Sequence, residues 1–337
     1  MRRLVVLGLL GLAACSGGKP AAPAGLRVGL ITPGSIADAA WNSGAYQGLQ
    51  AIRDSLGVSV SHVEARTPAA QEEALRSYAA QGYGLVFAHG YEFQQPAERV
   101  SAEYPGSFFV VTSGARAAAQ VAPLIFRLEE ASYLAGMVAG VVTRSNVIGF
   151  VGGVELPPVK AAYEGWVNGA RATNPAISTR VTYLNNWDDA AAGREAALAL
   201  MREGVDAFHH NADAAALGVF QAAKEAKGVT VFGANADQAA LAPAQVAGSA
   251  VIDLPRAFLL VAREVQAKRF TPRVLAFGLA DDVVRYQSNP AYAGTLPPDL
   301  AARLAAAADS IRAGTLVPAP RPAQMDARRT APAAPRG

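Results

Sequence analysis

Asp38, Trp41 and Asn42 stand within five residues of one another, a carboxylate, a flat aromatic and an amide. Such a set can stack a planar ring and hydrogen-bond its edge, because an amide pairs bidentately with adenine-like edges and a carboxylate accepts from hydroxyl or amino groups. The competing reading is structural: Asp38 or Asn42 caps a following helix and Trp41 enters the core. A second tryptophan sits in Asn185-Asn186-Trp187-Asp188-Asp189, flanked by polar residues and so poorly suited to a core. Asp188 is expected to cap the next helix. Tyr91, Asn211, Asp213, Asn235 and Asp237 lie in comparable polar or aromatic stretches.

The chemistry these residues lack is as informative. The four histidines are His62, His89, His209 and His210. His209 and His210 are adjacent on a strand-like run and point to opposite faces, which disfavours a shared metal. No G-x-S-x-G elbow, P-loop or H-E-x-x-H motif occurs, and Gly149-Phe-Val-Gly152-Gly153 lacks the order of a dinucleotide fingerprint. Glu129-Glu130 and Asp281-Asp282 read as solvated faces or helix ends. Neither a metal nor a cofactor is expected. An enzymatic alternative, a nucleoside hydrolase, would rest on Asp38, Asp213 and Asp237.

These residues need a scaffold. RVGLIT (27–32) is a β-branched run of strand length, and an alternation of helices and buried strands follows it. Helices are expected over 42–56, 68–81 and 93–103, with strands at 58–64, 84–89 and 107–112. After PLIFRL (123–128) a second series begins: helices over 129–143, 158–172, 188–203 and 213–226, and strands at 146–153, 177–184, 205–210 and 229–234. Two βα sets of this size predict two doubly wound parallel-sheet lobes. The N-terminal lobe covers 26–126 and is completed by part of 248–290. The C-terminal lobe covers 127–247 and is completed by part of 275–316. In such sheets ligands bind beyond the carboxyl ends of the strands. That rule selects the loops at 33–42, 89–93, 112–114, 153–157, 185–189, 210–213 and 235–238. Aromatics form 7% of the chain, so Trp41, Tyr91, Phe93 and Trp187 in these few windows are informative.

The first residues, MRRLVVLGLLGLAA, have the charged start, apolar run and small residues of an export signal, 1–14. The apolar stretch is too short for the roughly twenty residues of a membrane span. Leu12-Ala-Ala-Cys15 resembles a bacterial lipobox, with Cys15 as the lipidated residue and 15–25 as an anchored linker. Cys15 is the one cysteine, so no internal disulfide forms. The formal charge of +3 belongs to the ends: Arg2 and Arg3 leave with the signal, and four arginines crowd the disordered, Pro- and Ala-rich tail, 318–337. What remains is slightly acidic and has no basic cluster, which argues against a nucleic-acid partner.

The chain resembles the basic membrane protein (Bmp/PnrA-like) family of substrate-binding lipoproteins over about Val28 to Val265. Asp38-Ala-Ala-Trp41-Asn42 matches the family's opening signature, with tryptophan for the usual phenylalanine. EALRSYAAQGYGLVFAHGYEF (73–93), YPGSFFVV (104–111), EEASYLAGMVAG (129–140), IGFVGGVELPPV (148–159), YEGWVNGARATNP (163–175) and GVDAFHHNADAAALGVFQAAKE (204–225) follow in order. The resemblance implies a type I periplasmic-binding-protein fold, no enzymatic activity, and a monomer on a bacterial membrane that captures a purine nucleoside or base for an ABC permease. A sensing lipoprotein is the alternative. By position the family's base-binding loop falls on Asp38, Trp41 and Asn42, its second stacking aromatic on Trp187, and its ribose-side loop on Asn235-Ala-Asp237-Gln238. Tyr91, Asn211 and Asp213 complete the candidate ligand-binding set. Three positions depart from the family: Thr112 and Asn235 stand where it has aspartates, and Ile252 where it has a lysine. The weakened ribose set leaves a free base or another small solute open.

Overall fold

The computed structural model describes residues 25–38 and 40–320. Cys15, the signal segment and the tail beyond residue 320 lie outside the described residues.

The first series opens with β1 (Arg27–Thr32), α1 (Trp41–Leu56), β2 (Ser59–Glu64) and α2 (Pro68–Ala80). It continues through β3 (Leu85–His89), α3 (Gln94–Ser101), β4 (Phe108–Thr112) and β5 (Val121–Phe126). A 3-10 turn at Tyr91–Phe93 precedes α3, so the expected helix starts with a tighter turn. Local signals fix the ends: Thr67 caps α2 by accepting from the Ala70 N–H at 3.2 Å, Pro68 opens it, and Gly57 closes α1 at φ +64°. Side chains alternate along β1. Val28 and Leu30 join the core under α1, while Ile31 joins Leu75, Tyr78 and Phe93 on the other face.

The second series comprises α4 (Leu128–Val142), β6 (Val147–Gly152), α5 (Pro157–Thr173), β7 (Ser178–Tyr183) and α6 (Ala190–Arg202). β8 (Ala207–Asn211), α7 (Leu217–Glu225) and β9 (Thr230–Asn235) follow. Here α4 and α5 cover one face of the sheet and α6 and α7 the other. The α4 and α5 backbones touch: a Cβ on Gly136 would strike the Trp166 carbonyl, and one on Gly169 the Tyr133 carbonyl. Glycine is required there for close approach.

The sequence assigned no individual strand after residue 234, and the structure places three. β10 (Val246–Ile252) pairs parallel with β9, and β12 (Val284–Ser288) pairs antiparallel with β10. Between them, α8 (Leu254–Gln266) packs on α1, and β11 (Leu275–Phe277) pairs with β5. The sheet orders are β11-β5-β4-β3-β1-β2 and β12-β10-β9-β8-β6-β7. The chain therefore passes between the sheets at 126–128, 252–254 and 277–284, which places three neighbouring connectors between two αβα halves. α9 (Pro290–Ala293) and α10 (Leu300–Ala313) finish the chain, α10 lying against α4. The architecture is a type I periplasmic-binding-protein fold.

Glu129 and Glu130 stand at a helix end, one of the two expected places, but are buried there rather than solvated, at 7% and 2% exposure. The Glu130 carboxylate accepts from the Leu279 N–H at 2.7 Å and so ties the last connector to α4.

Candidate functional site

The carboxyl ends of β1, β3 and β4 face those of β6, β8 and β9 across a cleft. It holds about 860 Å³ of empty space, counted out to its open mouth.

On the first wall, Asp38 has a structural job. Its Oδ1 accepts from the Ala40 and Ser43 N–H groups at 3.1 and 2.9 Å, and its Oδ2 from the Asn42 N–H at 2.6 Å. These are the orphan donors of the α1 N-terminus, where a negative charge is also favoured. Asp38 thus caps the helix and lines the cleft at once. Trp41, the first residue of α1, is held on three sides. Its ring stacks on His89 at 4.1 Å and 26°, and meets Phe126 edge to face at 5.9 Å. Its carbonyl accepts from His89 Nε2 at 3.1 Å. Nδ1 of His89 must then accept, and the Thr112 hydroxyl donates to it at 3.0 Å. Burial lowers the His89 pKa to about 3, so the ring is neutral. Asn42 is 7% exposed, and its Oδ1 has no partner among the described residues. Gly90, at φ +149°, turns the chain so that Tyr91 and Glu92 reach the cleft.

The second wall is built differently. Trp187 lies over Gly153, where a Cβ would collide with its six-membered ring. Asp189 rather than Asp188 caps α6, accepting from the Ala192 N–H at 2.9 Å. Asp188 is freed for the cleft mouth, where it faces Arg66 at 3.9 Å. Asn211 ends β8, and Asp213 and Asn235 follow at φ +44° and +65°, conformations that side chains adopt rarely. Asn235 Nδ2 donates to Asp213 Oδ1 at 3.2 Å. Burial, then the nearby Asp38 charge, raises the Asp213 pKa to about 8.

The structure therefore brings Asp38, Trp41, Asn42, Tyr91, Trp187, Asn211, Asp213 and Asn235 into one cleft. Two candidates stand apart. Thr112 is fully buried behind the wall on His89, and the next residue, Ser113, lines the cleft instead. Asp237 is exposed in an adjoining hollow with Ser43 and Arg285, where its carboxylate accepts from the Ala239 N–H at 3.1 Å. Sequence reasoning missed Phe126, Leu128 and Val159, apolar lining residues that look like core in a sequence, while Ile252, singled out as standing where the family has a lysine, does line the cleft. His209 and His210 do diverge: His209 reaches Ser132 and the Phe232 carbonyl, His210 reaches Gln238. Among the described residues no group of three or more His, Cys, Asp or Glu is placed to hold a metal. Nor, among them, is any helix long and apolar enough to cross a membrane.

The profile of the ABC transporter substrate-binding protein PnrA-like (Bmp) family matches residues 26–301. Basic membrane protein A2 of Borrelia garinii subsp. bavariensis is 27% identical over 284 residues, covering 82% of this chain and 84% of that one. A protein of Haloferax volcanii named as a putative ABC transporter glucose-binding protein is 30% identical over 211 residues. That match covers 62% of this chain and spans about half, 54%, of the relative's length. The structure of a solute-binding protein of an ABC transporter system from Conexibacter woesei superposes with a TM-score of 0.71 at 28% identity. It covers 87% of this chain and 98% of its own.

Proposed function

The chain belongs to the PnrA-like family of ABC transporter substrate-binding proteins, which are not enzymes, and on that premise we propose that its cargo is a purine nucleoside or base. The observation that carries this reading is the pair of tryptophans. Trp41 comes from the first half and Trp187 from the second, and both line the same cleft. Each has one face already occupied, by His89 and by Gly153, leaving the remaining aromatic surface for a planar solute. Base–aromatic stacking contributes about 1–3 kcal/mol per base. Asn42, Asn211 and Asn235 supply amide groups for ring edges or hydroxyls.

Three neighbouring connectors between the halves provide a hinge, and closure around the solute would present one closed form to a membrane permease. Lipidation at Cys15 would hold the protein at an extracytoplasmic membrane face. Binding is tested by a thermal-shift screen against nucleosides, free bases, amino acids and glucose, the last because of the Haloferax relative's name. A solute at one hundred times its Kd adds about 2.7 kcal/mol of stability. Response to nucleosides supports the reading, response to free bases alone means that Asn235 and Ile252 have cost the ribose site, and response to glucose alone removes the purine.

A further inference from the structure

Four carboxylates line the cleft: Asp38 and Glu92 from the first half, Asp188 and Asp213 from the second. No lysine or arginine is among the residues lining it, and Ile252 fills the one position where a family lysine was expected. Acidic clusters are common on protein surfaces. A second, independent feature points to a ligand here. Asn42 is 7% exposed, lines the same cleft, and has an Oδ1 with no hydrogen-bond partner among the described residues. A buried acceptor of this kind is completed by a solute donor or by an ordered water. The aromatic walls share that preference, since a tryptophan face attracts cations.

We propose that the cleft selects flat heteroaromatic cations over their neutral counterparts and rejects phosphorylated solutes. This rests on the two-tryptophan site and narrows its cargo to the donor-rich, positively charged members of that class. The four acids are not equivalent. Asp38 is committed to three backbone N–H groups at the start of α1. Asp188 faces Arg66 at the mouth, and Glu92 folds back over Gly90. Asp213 is the responsive one. Its side-chain partner is Asn235, and it faces Asp38 from the loop before α1, Glu92 from the turn after β3 and Asp188 from the loop before α6. Burial first, and then these three carboxylates, push it up to about 8 against the lowering effect of the Asn235 hydrogen bond, so it holds a proton at neutral pH. A cation seated against Trp41 and Trp187 offsets the crowded negative charge, and Asp213 then releases its proton to solvent.

The test is calorimetric titration of the purified protein with matched pairs: adenosine against 1-methyladenosine, and nicotinamide against 1-methylnicotinamide. Adenosine monophosphate is the anionic probe. The expected result is that the cationic member of a pair binds about tenfold more tightly, and that the monophosphate does not bind. Affinity for 1-methylnicotinamide, whose charge is permanent, should rise from pH 6 to pH 8 and then level, with proton release visible as a buffer-dependent heat. Asp213→Asn should flatten that rise and shrink the cation-to-neutral ratio, and Glu92→Gln at the rim provides a second reading if Asp213→Asn folds poorly. Cation preference in the nicotinamide pair with no purine binding would uphold the inference and sink the purine reading. Adenosine binding as well as its cation would do the reverse. Equal binding of the monophosphate, or no binding by any probe, would overturn the inference.

Discussion

The two walls of the cleft present the same kind of residue by opposite means. Trp41 is fixed: Asp38 caps the helix that bears it, a neutral buried histidine stacks beneath it, and Phe126 closes its edge. Trp187 rests on the bare backbone of Gly153, in a loop beginning at Asn185 with φ +56°. Its neighbours Asp213 and Asn235 also hold positive φ. Around the cleft, Asn185, Asp213 and Asn235 hold positive φ on the second wall and Ser113 on the first, the carboxylates divide two and two, and the buried aromatic support lies on the first. Unusual backbone of this kind persists where surrounding structure over-determines it, commonly at ligand sites.

This contrast can be broken by substitution. Gly153→Val should cost as much purine affinity as Trp187→Ala, on the order of 1–3 kcal/mol, because the valine displaces the ring; calorimetry of both variants measures it. Asp38→Ala should act mainly on folding, lowering unfolding free energy by about 1–2 kcal/mol through the lost helix cap, as read from urea midpoints at unchanged slope.

The pH dependence of stability separates the buried histidines from Asp213. His89, His209 and His210 are held at about 3, 3 and 4, well below the ordinary 6.5, by burial. The unfolded chain therefore binds more protons below pH 6.5, and stability should fall with acidification through that range. Asp213 has the opposite sign. With its folded pKa raised to about 8 from 3.8, the folded state binds more protons between those values, so this residue's contribution declines as pH rises from 4 to 8. Asp213→Asn should remove that decline and leave the acid limb intact, a difference that denaturant titrations at pH 5, 6.5 and 8 resolve. The smallest effect belongs to the mouth: Arg66→Ala, which breaks the exposed pairs with Glu64 at 2.5 Å and with Asp188 at 3.9 Å, should change stability by no more than about 1 kcal/mol.

The scaffold was legible in the sequence because buried parallel strands read as short apolar runs between amphipathic helices. Every strand from β1 to β9 except β5 was placed within a residue or two; β5 overlaps the run PLIFRL, to which the sequence assigned no element. β10, β11 and β12 were not, since their assignment depends on which distant strand each meets, and β11 is three residues long. Loops after strands located the cleft, but side-chain direction inside them was decided by tertiary contacts. Thr112 turns inward to His89 while Ser113 faces out, and Asp189 takes the cap that Asp188 was expected to make. The apolar lining was invisible for a plainer reason: Phe126 and Val159 are the same residue types whether they meet the core or a ligand.

The account stands most directly on calorimetric titration of the wild-type chain and of Trp41→Ala and Trp187→Ala with adenosine and guanosine. It predicts one site per chain, with affinity reduced in both variants by on the order of 1–3 kcal/mol. Purine binding left unchanged by both substitutions, or absent beside tight glucose binding, would contradict it.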